Sequence, residues 1–267
     1  MRELVLGGEG LIGSTLVHAL SSRGHHVTSL DLKSGCDIRH VDQQPFDDAD
    51  RVWFLAWDTG GAKYIEAVDQ QHEQYKHNCE LCLRVFEMLS RTRKPFLFIS
   101  SQLAGLPNAY GTTKALAASW TRQLGGKVAR LWNVYGWEEP TVRSHVVTDL
   151  VLSGLKGRVS CMTDGGEHRR FLYKTDCVEA LMQLFDSSDQ QTAEIAAEDW
   201  VTIRLIGEEI ARQLNVPAEF GELKGSECLI DPLETLPNWK PRVSLQQGIS
   251  QVIEDARLHL HKQSVAV

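Results

Sequence analysis

The 267-residue chain has no apolar run near the roughly 20 residues of a bilayer span, and its first apolar stretch already holds glycines and Glu9. It has no surplus of positive charge. With 28 Lys and Arg against 35 Asp and Glu, the formal net charge is -7, so nothing electrostatic favours nucleic acid or anionic lipid. It has no disulfide framework either: Cys36, Cys79, Cys82, Cys161, Cys177 and Cys228 are scattered, as reduced thiols of a cytosolic chain would be. The one cluster, His77-Asn78-Cys79-Glu80-Leu81-Cys82, lacks a second Cys/His pair to complete four tetrahedral ligands. It reads instead as two cysteines one turn apart on a buried helix face, with no metal. Internal repeats, low-complexity tracts and charge blocks are absent. A composition 42% hydrophobic and 24% charged excludes collagen, coiled coil and disorder. Met1-Arg2-Glu3 leads straight into strand-like Leu4-Val5-Leu6, so no signal peptide is expected. A cytoplasmic protein of one large or two small domains is expected.

Short apolar runs alternate with helical patterns. Leu4–Leu6, His26–Leu30, Arg51–Ala56, Pro95–Ser100 and Lys127–Asn133 read as strands, and Leu11–Arg23, Ala62–Arg93 and Ala109–Leu124 as helices. Gly35–Ala49 reads as a connection with no clear helix. This alternation predicts a doubly wound α/β fold, a parallel sheet buried on both faces. The last third changes character, with helical patterns at Val142–Leu155, Thr175–Phe185, Thr202–Leu214 and Ser244–Leu260. A smaller α-rich C-terminal lobe is expected there. The predicted division is 1–136 for a dinucleotide-binding domain, to which 172–198 returns, and 137–267 mainly for a substrate-binding lobe.

Gly7-Gly8-Glu9-Gly10-Leu11-Ile12-Gly13 follows the first strand and opens the first helix in the pattern G-x-x-G-x-x-G. Glycines permit a tight turn and close approach of the backbone to a pyrophosphate seated on the helix N-terminus. Asp31 ends the second strand about 20 residues on, placed for the adenosine ribose hydroxyls. Its charge would repel the extra phosphate of NADP and favours NAD, although Lys33 stands two residues away and a solvated strand-end carboxylate is the alternative. Tyr110-Gly-Thr-Thr-Lys114 begins a helix, and one turn puts the tyrosine and lysine on one face. A phenol of pKa about 10 is a poor base at neutral pH, and a neighbouring ammonium and the positive nicotinamide would lower it. Ser101, at a strand end, would orient the substrate oxygen.

In that order, these motifs resemble the extended short-chain dehydrogenase/reductases, the NAD-dependent epimerase/dehydratase family acting on nucleotide sugars. The likeness runs along nearly the whole chain. Asp37-Ile38-Arg39 resembles the family's adenine-side D-I-R, Leu55-Ala56 its post-strand L-A-A, and Asn78 its mid-helix asparagine. Arg130-Leu-Trp-Asn133-Val-Tyr-Gly136 is similar to R-x-x-N-x-Y-G, whose asparagine faces the substrate nucleotide, and Trp239-Lys-Pro241 to a late W-x-P. Arg169-Arg170-Phe171 resembles the R-D-F/Y stretch, whose first arginine binds the pyrophosphate; by itself the pair would read as a solvated strand edge. The resemblance implies an NAD site of Gly7, Gly10, Leu11, Ile12, Gly13, Asp31, Asp37, Ile38, Leu55, Ala56, Asn78, Tyr110 and Lys114. It implies catalysis by Ser101, Tyr110 and Lys114, a nucleotide-sugar substrate against Ser101, Gln102, Asn133 and Arg169, and a homodimer packed through the two long helices. Trp53, Trp57, Trp120 and Trp137 have no assigned task.

The chain also departs from the pattern. Only nine positions separate Ser101 from Tyr110, a much shorter gap than the family's usual one. Gln102-Leu103 stand where members that dehydrate the sugar carry Asp-Glu, and the glutamate that related decarboxylases place in this stretch is missing too. What remains suits oxidation to a ketone and return of the hydride. The expected activity is NAD-dependent epimerisation of a nucleotide sugar, at C4. The alternatives are a 4-keto-sugar reductase or dehydrogenase with exchanging NAD(P)H, and an NAD-binding regulator without turnover.

Overall fold

The computed structural model describes residues 1–226 and 229–265, with side chains to Lys262. Cys228 lies outside the described residues. The chain divides into two compact units, one made of residues 1–131, 177–195 and 233–239 and the other of 132–176, 196–232 and 240–267.

The first unit holds β1 (Arg2–Leu6), α1 (Leu11–Ser22), β2 (His26–Leu30), α2 (Gln44–Asp48), β3 (Arg51–Phe54) and α3 (Ala62–Ile65). They are followed by α4 (Gln71–Thr92), β4 (Phe96–Ser101), α5 (Ala109–Gln123) and β5 (Lys127–Leu131). Next in the chain come β6 (Asn133–Tyr135), α6 (Val146–Leu155), β7 (Val159–Thr163), β8 (His168–Arg169), β9 (Phe171–Tyr173), α7 (Lys174–Asp186) and β10 (Thr192–Ile195). The last elements are β11 (Val201–Thr202), α8 (Ile203–Leu214), β12 (Ala218–Leu223) and α9 (Leu245–Val265).

A parallel sheet in the order β10-β5-β4-β3-β1-β2 is the frame of the first unit, a Rossmann-like arrangement. The central strands are the most buried because helices cover both faces; β3 and β4 are buried at every residue, whereas edge strand β2 has none fully buried. On one face Phe54 stands edge-on to Phe86 at 5.7 Å, and Phe98 lies 5.2 Å from Phe54. α4 and α5 cover this cluster. On the other face Trp53 meets Phe185 of α7 edge-on at 4.5 Å. Each such side chain withdrawn from water contributes about 2–3 kcal/mol. At the amino end of the sheet the buried Glu3 carboxylate accepts from Arg51 Nε at 2.8 Å and Trp53 Nε1 at 2.8 Å, and meets His25 Nδ1 at 2.6 Å. A carboxylate there is tolerated only because both oxygens are occupied.

The second unit packs α6, α8 and α9 around Leu150, Val151, Ile206, Ile210, Ile249 and Val252. Three two-stranded ribbons accompany them: parallel β6–β9, parallel β7–β12 and antiparallel β8–β11. The Thr202 hydroxyl caps α8 by accepting from Leu205 N at 3.1 Å, and the helix ends on left-handed Asn215 at φ +56°.

Several sequence expectations need adjusting. The Ala62–Arg93 pattern is not one helix: α3 stops after Ile65, Ala67 is extended, and α4 begins at Gln71. Two glutamines hold the break. Gln71 Nε2 donates to the Ile65 and Ala67 carbonyls at 3.0 Å each, and Gln74 Nε2 donates to that of Tyr64 at 3.0 Å. They satisfy the carbonyls that a continuous helix would have bonded. The Lys127–Asn133 run also divides at Trp132; β5 stays in the main sheet while β6 pairs with β9. Gly35–Ala49 carries a short helical turn, Ile38–His40, and the one-turn α2. The Val142–Leu155 pattern begins late, at Val146, because Thr141–Ser144 forms a turn with Thr141 N donating to Ser144 Oγ at 2.8 Å.

Candidate active site

The residues singled out in the first unit gather at the carboxyl ends of β1, β2, β3 and β4, where the loops of a parallel sheet leave room for ligands beside the reversal of strand order. Gly7 has φ +90°, and a Cβ there would lie 2.5 Å from Ala56 N. A Cβ on Gly13 would lie 2.0 Å from the Gly7 carbonyl. These two glycines are therefore needed by the chain's own packing. Gly10 differs, since its Cβ would meet nothing closer than 3.5 Å. It is the N-cap of α1, no side chain caps that end, and the first turn carries no acid. The N–H groups of Leu11 and Ile12 thus open a helix whose positive end suits a pyrophosphate.

Asp31 is fixed beside this turn. Its carboxylate accepts from Glu9 N at 3.0 Å and Lys33 N at 2.9 Å, and Lys33 Nζ turns away to the Glu9 carbonyl at 3.2 Å. Leu55 N and Ala56 N both donate to the Leu6 carbonyl, at 2.9 and 2.7 Å, which ties the loop after β3 to the end of β1. Ile38 is buried, and Asp37 is held at a pKa of about 2 by hydrogen bonds from Arg39. Asn78 is fully buried and spends its amide on the same loop. Its Oδ1 accepts from Asp58 N at 2.8 Å, and its Nδ2 donates to the Asp58 carbonyl at 3.3 Å. Its part in any cofactor site runs through Leu55–Asp58.

Ser101 ends β4 and Tyr110 lies in the first turn of α5. Asn108 starts that helix by accepting from Gly111 N at 2.8 Å, and Gln71 Oε1 accepts from Ala109 N at 2.7 Å. Leu103 N donates to Ser101 Oγ at 3.1 Å, and Gly105 N donates to the Gly111 carbonyl at 2.9 Å. The short connection thus folds flat on the helix start. A Cβ on Gly111 would lie 2.6 Å from the Leu106 carbonyl and 2.7 Å from that of Leu103. Gly111→Ala is therefore expected to destabilise by about 1–3 kcal/mol, by forcing backbone apart. A Tm lower by about 3–10 °C in a melting experiment would show it. An unchanged Tm would mean that the connection yields freely.

Burial raises the Tyr110 pKa above its ordinary value, while the hydroxyls of Ser101 and Thr59 pull it back down. Lys114, one turn on, is buried where Tyr110 is half-buried. Its Nζ donates to the Ile99 carbonyl at 2.6 Å and stands 4.2 Å from the Trp57 ring centroid, 4.9 Å from that of Phe98 and 5.8 Å from that of Tyr110. Desolvation lowers its pKa to about 7. The hydroxyls of Ser101 and Thr59 lower the phenol pKa, while the lysine donates to β4. Thr59 carries no motif and was invisible in the sequence; only its place, four residues past Leu55 in the loop after β3, hinted at the site.

In the second unit Asn133 opens β6, in register with Phe171. Arg169 donates to the carbonyls of His168 at 2.7 Å and Ser226 at 2.6 Å. Arg170 is bound to the carbonyls of Ala197 and Glu198 and to Asp231, with its guanidinium 4.8 Å from the Trp200 ring centroid. Gln102 N, at the end of β4 in the first unit, donates to the Leu131 carbonyl at 2.9 Å. Cys82 is packed in the core, where burial pushes its thiol up to about 12. No helix among the described residues is long and apolar enough to cross a membrane.

The first unit thus brings together a Rossmann-like sheet, an uncapped glycine turn and the candidate residues Ser101, Tyr110 and Lys114. Residues 3–196 match the NAD dependent epimerase/dehydratase family, and the chain belongs to it. Its cofactor is NAD. UDP-glucuronic acid decarboxylase 5 of Arabidopsis thaliana is 26% identical over 144 residues, which is 50% of this chain and 42% of that protein. The chain thus spans less than half of that relative. GDP-mannose 3,5-epimerase 1 of Oryza sativa subsp. indica is 24% identical over 307 aligned positions, covering 93% of this chain and 80% of that one. The fold is similar to that of the UDP-glucuronic acid 4-epimerase from Bacillus cereus, solved with UDP-glucuronic acid and NAD. The TM-score is 0.82 at 20% identity, over 97% of this chain and 100% of the other.

The open face at Gly10, the free first-turn N–H groups of α1 and the fixed Asp31 carboxylate fit a dinucleotide with unmodified ribose hydroxyls. Leu55 and Ala56 would border it, and Lys114 would meet its nicotinamide ribose.

Proposed function

We propose that the protein is a nucleotide-sugar epimerase that inverts C4 through a transient 4-keto sugar. The carrying observation is the phenol of Tyr110 facing the Ser101 hydroxyl across a connection, Gln102–Ala109, that holds no carboxylate. Elimination of water or loss of a carboxyl group would call on further acid–base groups, whereas oxidation and reduction at one carbon need only one proton acceptor. Tyr110 as phenolate takes the proton of the C4 hydroxyl, and Ser101 donates a hydrogen bond to the same oxygen. Bound NAD supplies the hydride acceptor and later the hydride donor at C4. The keto sugar turns over, and Tyr110 returns the proton. Arg169 would exchange its two carbonyl partners for phosphate oxygens, a bidentate role suited to guanidinium. Within the second unit Asn133 is proposed as a further nucleotide contact, and within the first Gln102 as a neighbour of the reacting sugar.

The first unit is proposed to hold NAD and the second the nucleotide sugar. A cytoplasmic homodimer is proposed through α4 and α5, which carry the exposed Tyr75, Leu83 and Leu116. Denaturing the purified protein and weighing the released nucleotide tests the reading. Near-stoichiometric NAD is expected, since an epimerase keeps its cofactor through the cycle. An empty protein that takes up NADPH better than NADH would make it a reductase, and affinity for neither would overturn both.

A further inference from the structure

The loop after β3 sends two side chains to the catalytic pair. Trp57 and Thr59 are alternate residues of one turn of chain. The Trp57 indole covers the Lys114 ammonium position, 4.2 Å from centroid to Nζ, and packs on Phe98 at 5.4 Å. Its own Nε1 is buried without a hydrogen-bond partner in this structure, so the ring is held in place by what it packs against. The Thr59 hydroxyl is hydrogen-bonded to the Tyr110 phenol, so a hydroxyl from the loop after β3 and one from the end of β4 share one phenol. Asp58, between them, is clamped at its backbone by Asn78, and its carboxylate accepts from Tyr64 Oη at 3.0 and 3.1 Å. The clamp therefore has a base (Asn78, Tyr64) and two fingers.

We propose that this loop is a working part of the catalytic site, with Trp57 as the positioning residue for Lys114 and Thr59 as the positioning residue for Tyr110. The proposal rests on the reading of Tyr110 and Lys114 as the catalytic pair, and adds a third source of control to the end of β4 and the first turn of α5. A ring face attracts a cation and repels nothing when the amine is neutral. Trp57 thus steadies Lys114 in either protonation state while favouring the charged one. A threonine hydroxyl donates to a phenolate more strongly than to a phenol, so Thr59 favours the form of Tyr110 that can take a proton. The groups facing Lys114 are Cys82 from α4, Tyr110 from α5, the Ile99 carbonyl and Phe98 ring from β4, and Trp57. Those facing Tyr110 are Ser101 and Thr59.

Two titrations of the purified protein test this without any substrate. In the first, tryptophan fluorescence is followed from pH 5.5 to 9. A component with a midpoint near 7 is expected in the wild type and should vanish both in Trp57→Phe and in Lys114→Met. A pH response unchanged by both substitutions would overturn the assignment of Trp57. In the second, phenolate absorbance of the wild type minus that of Tyr110→Phe isolates this one phenol. Thr59→Val is expected to raise its midpoint by about one pH unit, and Thr59→Ser to restore it. An unmoved midpoint would overturn the assignment of Thr59. If Thr59→Val lowers the Tm by itself, Thr59→Ser still decides, because it keeps the hydroxyl and removes the methyl. Either failure alongside bound NAD and intact epimerisation removes this inference and leaves the proposed function standing; absence of NAD removes the function and leaves the titrations interpretable.

Discussion

Tyr110→Phe is expected to cut turnover by about 10²- to 10⁴-fold, the usual worth of a positioned acid–base group. The substitution removes one oxygen from a phenol whose ring is held in the first turn of α5. The fold should therefore survive, and the bound nucleotide with it. The measurement is kcat with whichever nucleotide sugar the wild type epimerises, together with the Tm and the NAD content of both proteins. Loss of turnover with NAD and Tm unchanged is the predicted signature. Turnover retained within threefold would show that the proton leaves by another route, and the proposed mechanism would fall with it.

Lys114→Met has the second large effect, and its sign depends on pH. The folded chain holds the amine at a pKa of about 7, against an ordinary value of 10.5. Between those values the unfolded chain binds more protons than the folded one, so stability climbs as pH rises from about 7 to 10. Below pH 7 the folded protein carries the full cost of a buried ammonium, up to about 5 kcal/mol at 1.36 kcal/mol per pK unit. Methionine fills the same space without that cost. Measured on protein freed of nucleotide, the variant should melt several degrees higher than the wild type at pH 6, and the gap should close as pH approaches 10. Its turnover should be lost at every pH. A variant less stable than the wild type at pH 6 would mean that the Ile99 carbonyl and the Trp57 ring more than offset the burial of the amine.

That a group proposed for catalysis weakens the protein that carries it accords with the proposed task. Lys114 is held uncharged or charged by small differences near neutral pH, among aromatic rings that a purely structural residue would fill with carbon.

The frame of the candidate site was legible in the sequence because its requirements are backbone requirements. Gly7 and Gly13 are fixed by contacts that no side chain survives, Asp31 by the end of a strand, and Tyr110 and Lys114 by one helical turn. What the sequence concealed depends on side chains meeting across distant segments. The end of α3 looks helical because Gln71 and Gln74, which hold the break, are good helix formers elsewhere. The division at Trp132 hides in an unbroken apolar run, where periodicity cannot tell one strand from two. Thr59 belongs to no periodic pattern, and its partner lies about fifty positions away. The direction of Lys114 was equally hidden, since the spacing sets its helix face but not which carbonyl it finds.

The flat connection between Ser101 and Tyr110 sets a rule for remodelling this enzyme. Its geometry is fixed by carbonyls of Leu103 and Leu106 resting on bare Gly111, and by backbone bonds such as Gly105 N to the Gly111 carbonyl. These contacts are made by backbone atoms, and one inserted residue would lift the seat and carry the serine away from the phenol. Libraries aimed at a new sugar should therefore randomise identity in this segment and hold its length constant.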